Sequence, residues 1–106
     1  MAMYNQGEIL ARIKSTVLEE IPDAKVYLFG SRVTGKLHEE SDWDILILTH
    51  KIADRSLRKK IHYKLFPFNL KINGIIDATI VNENDWHDDP SYYVLKLAIK
   101  DEQVLL

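Results

Sequence analysis

The sequence contains no cysteine, which excludes disulfides and thiolate metal sites and suits a reducing compartment. Its three prolines and four glycines are too few and too scattered to make a linker or a low-complexity tract. No apolar run approaches the eighteen or so residues that a spanning helix needs, so no membrane role is expected. The first ten residues, MAMYNQGEIL, lack the basic region and apolar core of a signal peptide. A formal net charge of −2 provides no overall attraction to nucleic acid, which is not expected as the main ligand. What remains is a chain of 106 residues with 46% hydrophobic and 28% charged content, the balance of an ordinary globular protein. These features predict one soluble, cytoplasmic domain over 1–106, with room for a single core and none for a separate substrate domain.

Periodicity predicts the elements. Leu10, Ile13, Val17 and Ile21 mark a helix over 6–21, ended by Pro22. The β-branched and aromatic run Lys25–Phe29 reads as a buried strand that stops at Gly30-Ser31. Ser31 is placed to cap a short helix over 31–35, and Lys36–Ser41 is polar enough for a loop. Asp44–Thr49 is a second strand, too continuously apolar to leave one face in water. Leu57, Ile61 and Leu65 predict a helix over 53–65, closed by Phe66-Pro67-Phe68. A third strand follows over 75–81, reached through Asn73-Gly74, with Leu70–Ile72 able to pair with it as a hairpin. Glu83–Asp89 reads as an acidic loop or single turn, Ser91–Ile99 as a helix with Val94, Leu95, Ala98 and Ile99 facing inward, and Gln103–Leu106 as an edge strand. The expected fold is α/β: a small mixed β-sheet of at least three strands with helices packed on one face.

Chemistry concentrates between Tyr27 and Leu48. On a strand, residues i and i+2 share a face, so Asp42 and Asp44 would project together, roughly 6.6 Å apart at ~3.3 Å per residue. Two carboxylates at that separation can grip one hard cation or bridge two, and a two-ion site ordinarily takes a third carboxylate. Asp77 is the candidate, because it is the only charge within Ile75–Val81 and a charge in a buried strand must be paired or bind metal. Gly30 lets backbone approach a ligand closely, and Ser31 offers a hydroxyl and an N–H to a phosphate. An anion-binding turn facing an acidic pair is the arrangement that a nucleoside triphosphate bound through magnesium requires. Asp-x-Asp alone is common; its pairing with Gly-Ser ten residues upstream is much rarer.

Gly30-Ser31, ten residues, then Asp42-x-Asp44 resembles the GS-x10-DxD pattern of the DNA polymerase beta-like nucleotidyltransferases. The string GSRVTG…SDWDILIL is similar to that of their small bacterial branch, the minimal nucleotidyltransferases, often paired with a helical HEPN-class protein. The resemblance implies the nucleotidyltransferase fold and a triphosphate, ATP or another, held by Gly30, Ser31 and Arg32. It implies two magnesium ions on Asp42 and Asp44, with Asp77 as the third carboxylate reaching the attacking hydroxyl. The implied reaction transfers a nucleoside monophosphate, AMP from ATP, to a hydroxyl and releases pyrophosphate. In the toxin–antitoxin members of the branch, the acceptor is a tyrosine of the HEPN ribonuclease, which the modification silences. Two departures stand out: Val33 and Thr34 replace the Ala and second Arg of G-S-R-A-R-G, and Trp43 replaces Ile or Val between the aspartates. Trp43 points away from the pair and is expected in the core.

Other readings compete. The domain could bind nucleotide without catalysis and block a partner sterically, or transfer to a small molecule as in aminoglycoside-modifying relatives, for which so short a chain has little room. Homo-oligomerisation is left open. The six Lys and Arg from Lys51 to Lys64 face only Asp54 and read by default as a solvated helix face. His38, Glu39 and Glu40 lack the spacing of a metal site, and His50, His62 and His87 gain no role. Trp86, Tyr92 and Tyr93 read as core or interface aromatics.

Overall fold

Alternation of side chains along three apolar segments builds the sheet, and a computed structural model describes residues 5–30, 42–72, 74–100 and 103–106 of it. Helix α1 covers Gln6–Glu20, followed by β1 (Lys25–Phe29) and β2 (Trp43–Thr49). Helix α2 (Arg55–Asn69) leads to β3 (Ile76–Asn82), then α3 (Glu83–Asp88), a 3-10 turn at Pro90–Tyr92, α4 (Tyr93–Ile99) and β4 (Gln103–Leu105). The expected helix over 31–35, the loop over 36–41 and the turn residue Asn73 lie outside the described residues. The strand order is β3-β2-β1-β4, with β2 and β3 parallel and the other two pairs antiparallel. The expected mixed α/β sheet is therefore present, with the C-terminal segment as its edge strand.

Helix α1 begins where Asn5 Oδ1 accepts from the Glu8 N–H at 2.8 Å while Asn5 Nδ2 donates to Glu8 Oε1 at 3.1 Å. The first of these bonds satisfies a backbone donor that a helix start leaves free, and the second ties the two side chains together. Its Ile9, Ile13 and Val17, with Ile21 at the C-cap, are buried against α2 residues Ile61 and Leu65 and one face of the sheet. Val26, Leu28, Trp43, Ile45, Ile47, Ile76, Ala78 and Ile80 supply that face. Burying side chains of this size contributes ~1.5–3 kcal/mol each, so this layer dominates the stability. Trp43 is in it, as its position predicted.

The opposite sheet face carries a smaller cluster of Leu46, Leu48, Val81 and Ile99, with Tyr27, Phe29, Trp86, Tyr92 and Leu95 packed on it. The α1–α2 layer fits the expectation of helices on one face; α3 and α4 add partial cover on the other, so β2 is apolar on both sides.

Several boundaries moved for physical reasons. Helix α2 does not close at Phe66-Pro67-Phe68 but carries Pro67 inside and ends at Asn69. An interior proline costs about 3 kcal/mol; Phe68 packs on the core and Asn69 bonds to β3, and both contacts act against that cost. Because α2 runs on, Leu70 is its C-cap and Leu70–Ile72 forms a turn rather than a hairpin strand, and β3 pairs with β2 instead. The acidic segment is helical over Glu83–Asp88, since Asn82 Oδ1 accepts from the Asn84 and Asp85 N–H groups and caps it. Ser91 lies in the 3-10 turn and Asp89 is the cap, its Oδ1 accepting from the Ser91 N–H at 2.9 Å. Helix α4 is consequently only seven residues long and buries one narrow stripe: Ile99 is buried and Leu95 half-buried, whereas Ala98 is exposed and Val94 is 75% exposed. Of the C-terminal aromatics, Trp86 and Tyr92 pack together with ring centroids 5.9 Å apart, and Tyr93 is exposed.

Candidate active site

Antiparallel pairing of β1 with β2 brings the end of one beside the start of the other. Phe29 stands opposite Asp44, and on the far side of β2 Asp44 stands opposite Asp77 of β3. Residues in register on neighbouring strands point to the same face. Asp44 and Asp77 therefore rise together from strands about 4.8 Å apart, on the face that also carries Leu46, Leu48 and Val81. The α3 and α4 cluster covers that face farther along β2 and β3, and the aspartates occupy the strand beginnings. The hydrogen bond from the Trp43 N–H to the Ile75 carbonyl, 2.8 Å, extends the ladder to that end.

Gly30 completes the arrangement. Its φ of +81° lies in the region that only glycine occupies without strain. A Cβ added there would overlap Asp44 Oδ2 and stand 3.2 Å from its Cγ. The backbone of the turn thus lies directly against the carboxylate, which no residue with a side chain would allow.

Asp42 lies one residue ahead of β2 rather than within it, and it is exposed. It still acts on its neighbour: the Asp44 carboxyl is pushed above the ordinary carboxylate value, first by burial and then by the charges of Asp77 and Asp42. Two like charges beside one half-buried carboxyl concentrate negative potential that a cation would relieve. Among the described residues, no group of three His, Asp or Glu side chains stands within joint metal-binding reach. The donor chemistry, all carboxylate oxygen, suits a hard cation such as magnesium, calcium or manganese rather than a soft one.

Of the residues singled out by sequence, the fold brings together Gly30, Asp44 and Asp77, with Asp42 near enough for its charge to act on Asp44. Asp77 is exposed rather than buried in its strand, because it lies at the beginning of β3. Ser31 and Arg32 lie outside the described residues. Two residues that the sequence did not flag stand beside Asp77. His62 Nε2 meets the Ala78 carbonyl at 3.0 Å, and Asn69 Oδ1 accepts from the Ile76 N–H at 3.0 Å. Both belong to α2, seven residues apart on one helix face, a spacing whose significance depends on what that face meets. The basic residues of α2 lie elsewhere. Lys60 and Lys64 pair with Glu20 of α1 at 3.6 and 3.7 Å, and a groove of about 490 Å³ among Glu20, Ser56, Lys59, Lys60, Tyr63 and Lys64 opens on the helical layer, across the sheet from the carboxylates.

The site is a glycine turn set against an acidic pair on a mixed sheet. The sequence pattern of the nucleotidyltransferase domain family matches residues 10–101, and the chain belongs to that family. It is 36% identical over 56 residues to a probable protein adenylyltransferase, MntA, of Haemophilus influenzae, covering 53% of this chain and 49% of that one. It is 32% identical over 65 residues to a spectinomycin 9-adenylyltransferase of Staphylococcus aureus, covering 57% of this chain and 25% of the relative. The chain thus spans about half or less of the curated relatives it matches. Among solved structures, the fold is similar to that of a Shewanella oneidensis MNT antitoxin in complex with a tri-AMPylated HEPN toxin, with a TM-score of 0.64 and 20% identity, covering 95% of this chain and 71% of that one. It is also similar to spectinomycin adenyltransferase AAD(9) from Enterococcus faecialis with ATP and spectinomycin, with a TM-score of 0.66 and 19% identity, covering 95% and 48%.

Proposed function

We propose that this protein is a magnesium-dependent nucleotidyltransferase that moves AMP from ATP onto a hydroxyl, specifically a tyrosine of a HEPN-type toxin partner, and so acts as an antitoxin in the cytoplasm. The observation that carries the reading is the contact of Gly30 backbone with the Asp44 carboxylate, in register with Asp77, which joins an anion-binding turn to an acidic pair at one place. The similarity to a protein adenylyltransferase and to an antitoxin complexed with an AMPylated toxin supports the choice of nucleotide and acceptor.

In this reading Asp42, Asp44 and Asp77 would hold magnesium, as two ions, and the metal would offset the charge developing on the transferred phosphoryl group. Gly30 leaves room for the triphosphate, and Ser31 and Arg32 engage its oxygens. Asp77 receives the proton of the incoming hydroxyl. The hydroxyl oxygen bonds to the α-phosphorus, the bond from that phosphorus to the oxygen bridging to the β-phosphorus breaks, and pyrophosphate departs. Purified protein, labelled ATP, magnesium and the HEPN-type partner should yield labelled partner, with label lost in an Asp42→Asn, Asp44→Asn variant. Neutralisation of the partner by that variant, without labelling, would instead show steric blocking.

A further inference from the structure

Strand β3 lies at the edge of the described sheet and is held by strand pairing on one side alone. Alternate residues of such a strand turn their N–H and C=O outward. Asp77 turns its own backbone toward β2, so the outward groups flanking it belong to Ile76 and Ala78. Those are the two that α2 engages: Asn69 Oδ1 accepts from Ile76 N–H, and His62 Nε2 lies on the Ala78 carbonyl, each at 3.0 Å. A carbonyl only accepts, so Nε2 of His62 carries the proton. Ile61 and Leu65 anchor the same helix in the core at 0% and 2% exposure, which fixes the two polar side chains relative to the sheet.

We infer that His62 and Asn69 are positioning residues that clamp the outer edge of β3 and hold Asp77 in line with Asp44. The inference rests on the reading of Asp77 as a carboxylate of the site. The need for a clamp follows from the placement of Asp77: it stands opposite Asp44 on an edge strand that is paired on one side alone, so the ladder to β2 fixes only its inner edge. The two bonds from α2 tie the backbone on either side of Asp77 to the helical layer. Hydrogen bonds of this kind protect an edge from foreign strands as well, but protection alone would not require them to flank the carboxylate.

The test is Mn²⁺ binding in the presence of a nonhydrolysable ATP analogue, followed by the paramagnetic resonance of free Mn²⁺, with melting temperature measured in parallel. His62→Leu and Asn69→Ala should each weaken Mn²⁺ binding threefold or more. His62→Gln, whose amide can still donate to Ala78, should restore binding to within twofold of the unaltered protein. Leu65→Val, which loosens α2 without touching the β3 edge, should lower the melting temperature and leave Mn²⁺ binding unchanged. Unaltered Mn²⁺ binding in both His62→Leu and Asn69→Ala, while Asp77→Asn loses it, would overturn the clamp and leave the reading of Asp77 standing. Equal losses in Leu65→Val and the clamp variants would also overturn it, as general loosening. Full Mn²⁺ binding by Asp77→Asn would overturn the reading of Asp77 and the clamp with it. Should one clamp variant fail to fold, the other carries the comparison.

Discussion

The two ends of β2 each present an aspartate, and the two are treated in opposite ways. At the far end Asp23, in the turn before β1, accepts from the Thr49 hydroxyl at 3.0 Å and from the His50 N–H at 2.7 Å. Those bonds hold its carboxyl below the usual value, the His50 backbone first among them, against a smaller opposing effect of burial. Nearby, Glu83 accepts from Lys25 Nζ at 2.8 Å and faces His50 Nε2 at 2.9 Å. At the near end Asp44 is half-buried beside two like charges, and its carboxyl is held above the usual value. One end has donors for its carboxylate; the other assembles carboxylates around one another. Carboxylates surrounded by donors tie chain segments together, whereas carboxylates facing carboxylates hold one another's charge in check, the pattern that marks candidate functional sites.

Substitutions should separate the two ends. The largest effect belongs to Asp44→Asn: AMP transfer should fall by about a thousandfold or more, the scale on which metal and charge stabilisation act. Its melting temperature should stay level or rise, because a repulsive group is removed; a fall would mean that Asp44 is structural. Next is Gly30→Ala, which meets both the positive φ, costing ~1–2 kcal/mol, and the Asp44 carboxylate. Transfer should drop about a hundredfold, on the scale of a roughly 1 Å misplacement at a reacting centre; activity within twofold of normal would argue against close approach there.

Asp23→Ala should show the converse. Urea denaturation should report a loss of about 1–2 kcal/mol, the range for leaving buried hydrogen-bonding groups without their acceptor, since Thr49 is fully buried. Transfer activity should remain within twofold, and a larger change would mean that the two ends communicate. The smallest effect is the pH dependence of that difference. Asp23 binds its proton less readily folded than unfolded, so its contribution is complete above the ordinary carboxylate value of 3.8 and disappears as pH falls through its lowered folded value. Stability curves of the parent and Asp23→Ala should converge below about pH 3.8; parallel curves would show that Asp23 contributes in its protonated form.

Much of this was legible beforehand. The Gly30 turn, the Asp42-x-Asp44 pair and the isolated Asp77 stood out because their types conflict with the apolar strands around them. Ile13, Val17 and Ile21 of the α1 stripe and the burial of Trp43 followed from periodicity alone, whereas Ile9 rather than Leu10 is the buried residue at the start of that stripe. Less was visible after Pro67: a proline ordinarily ends a helix, and the contacts that carried α2 to Asn69 lie on elements distant in sequence. Val94 and Ala98 matched a helical stripe equally well, but a seven-residue helix has only one narrow side against the sheet.

By itself, then, the sequence determined which groups could do chemistry, because glycine at a strand end and carboxylates in apolar strands are choices of residue type. The tertiary structure alone decided that Gly30 backbone lies against Asp44, that Asp77 shares its register, and that His62 and Asn69 of α2 bond to the backbone on either side of Asp77. Strand pairing and helix packing set these relations between distant segments, and local residue preference carries no record of them.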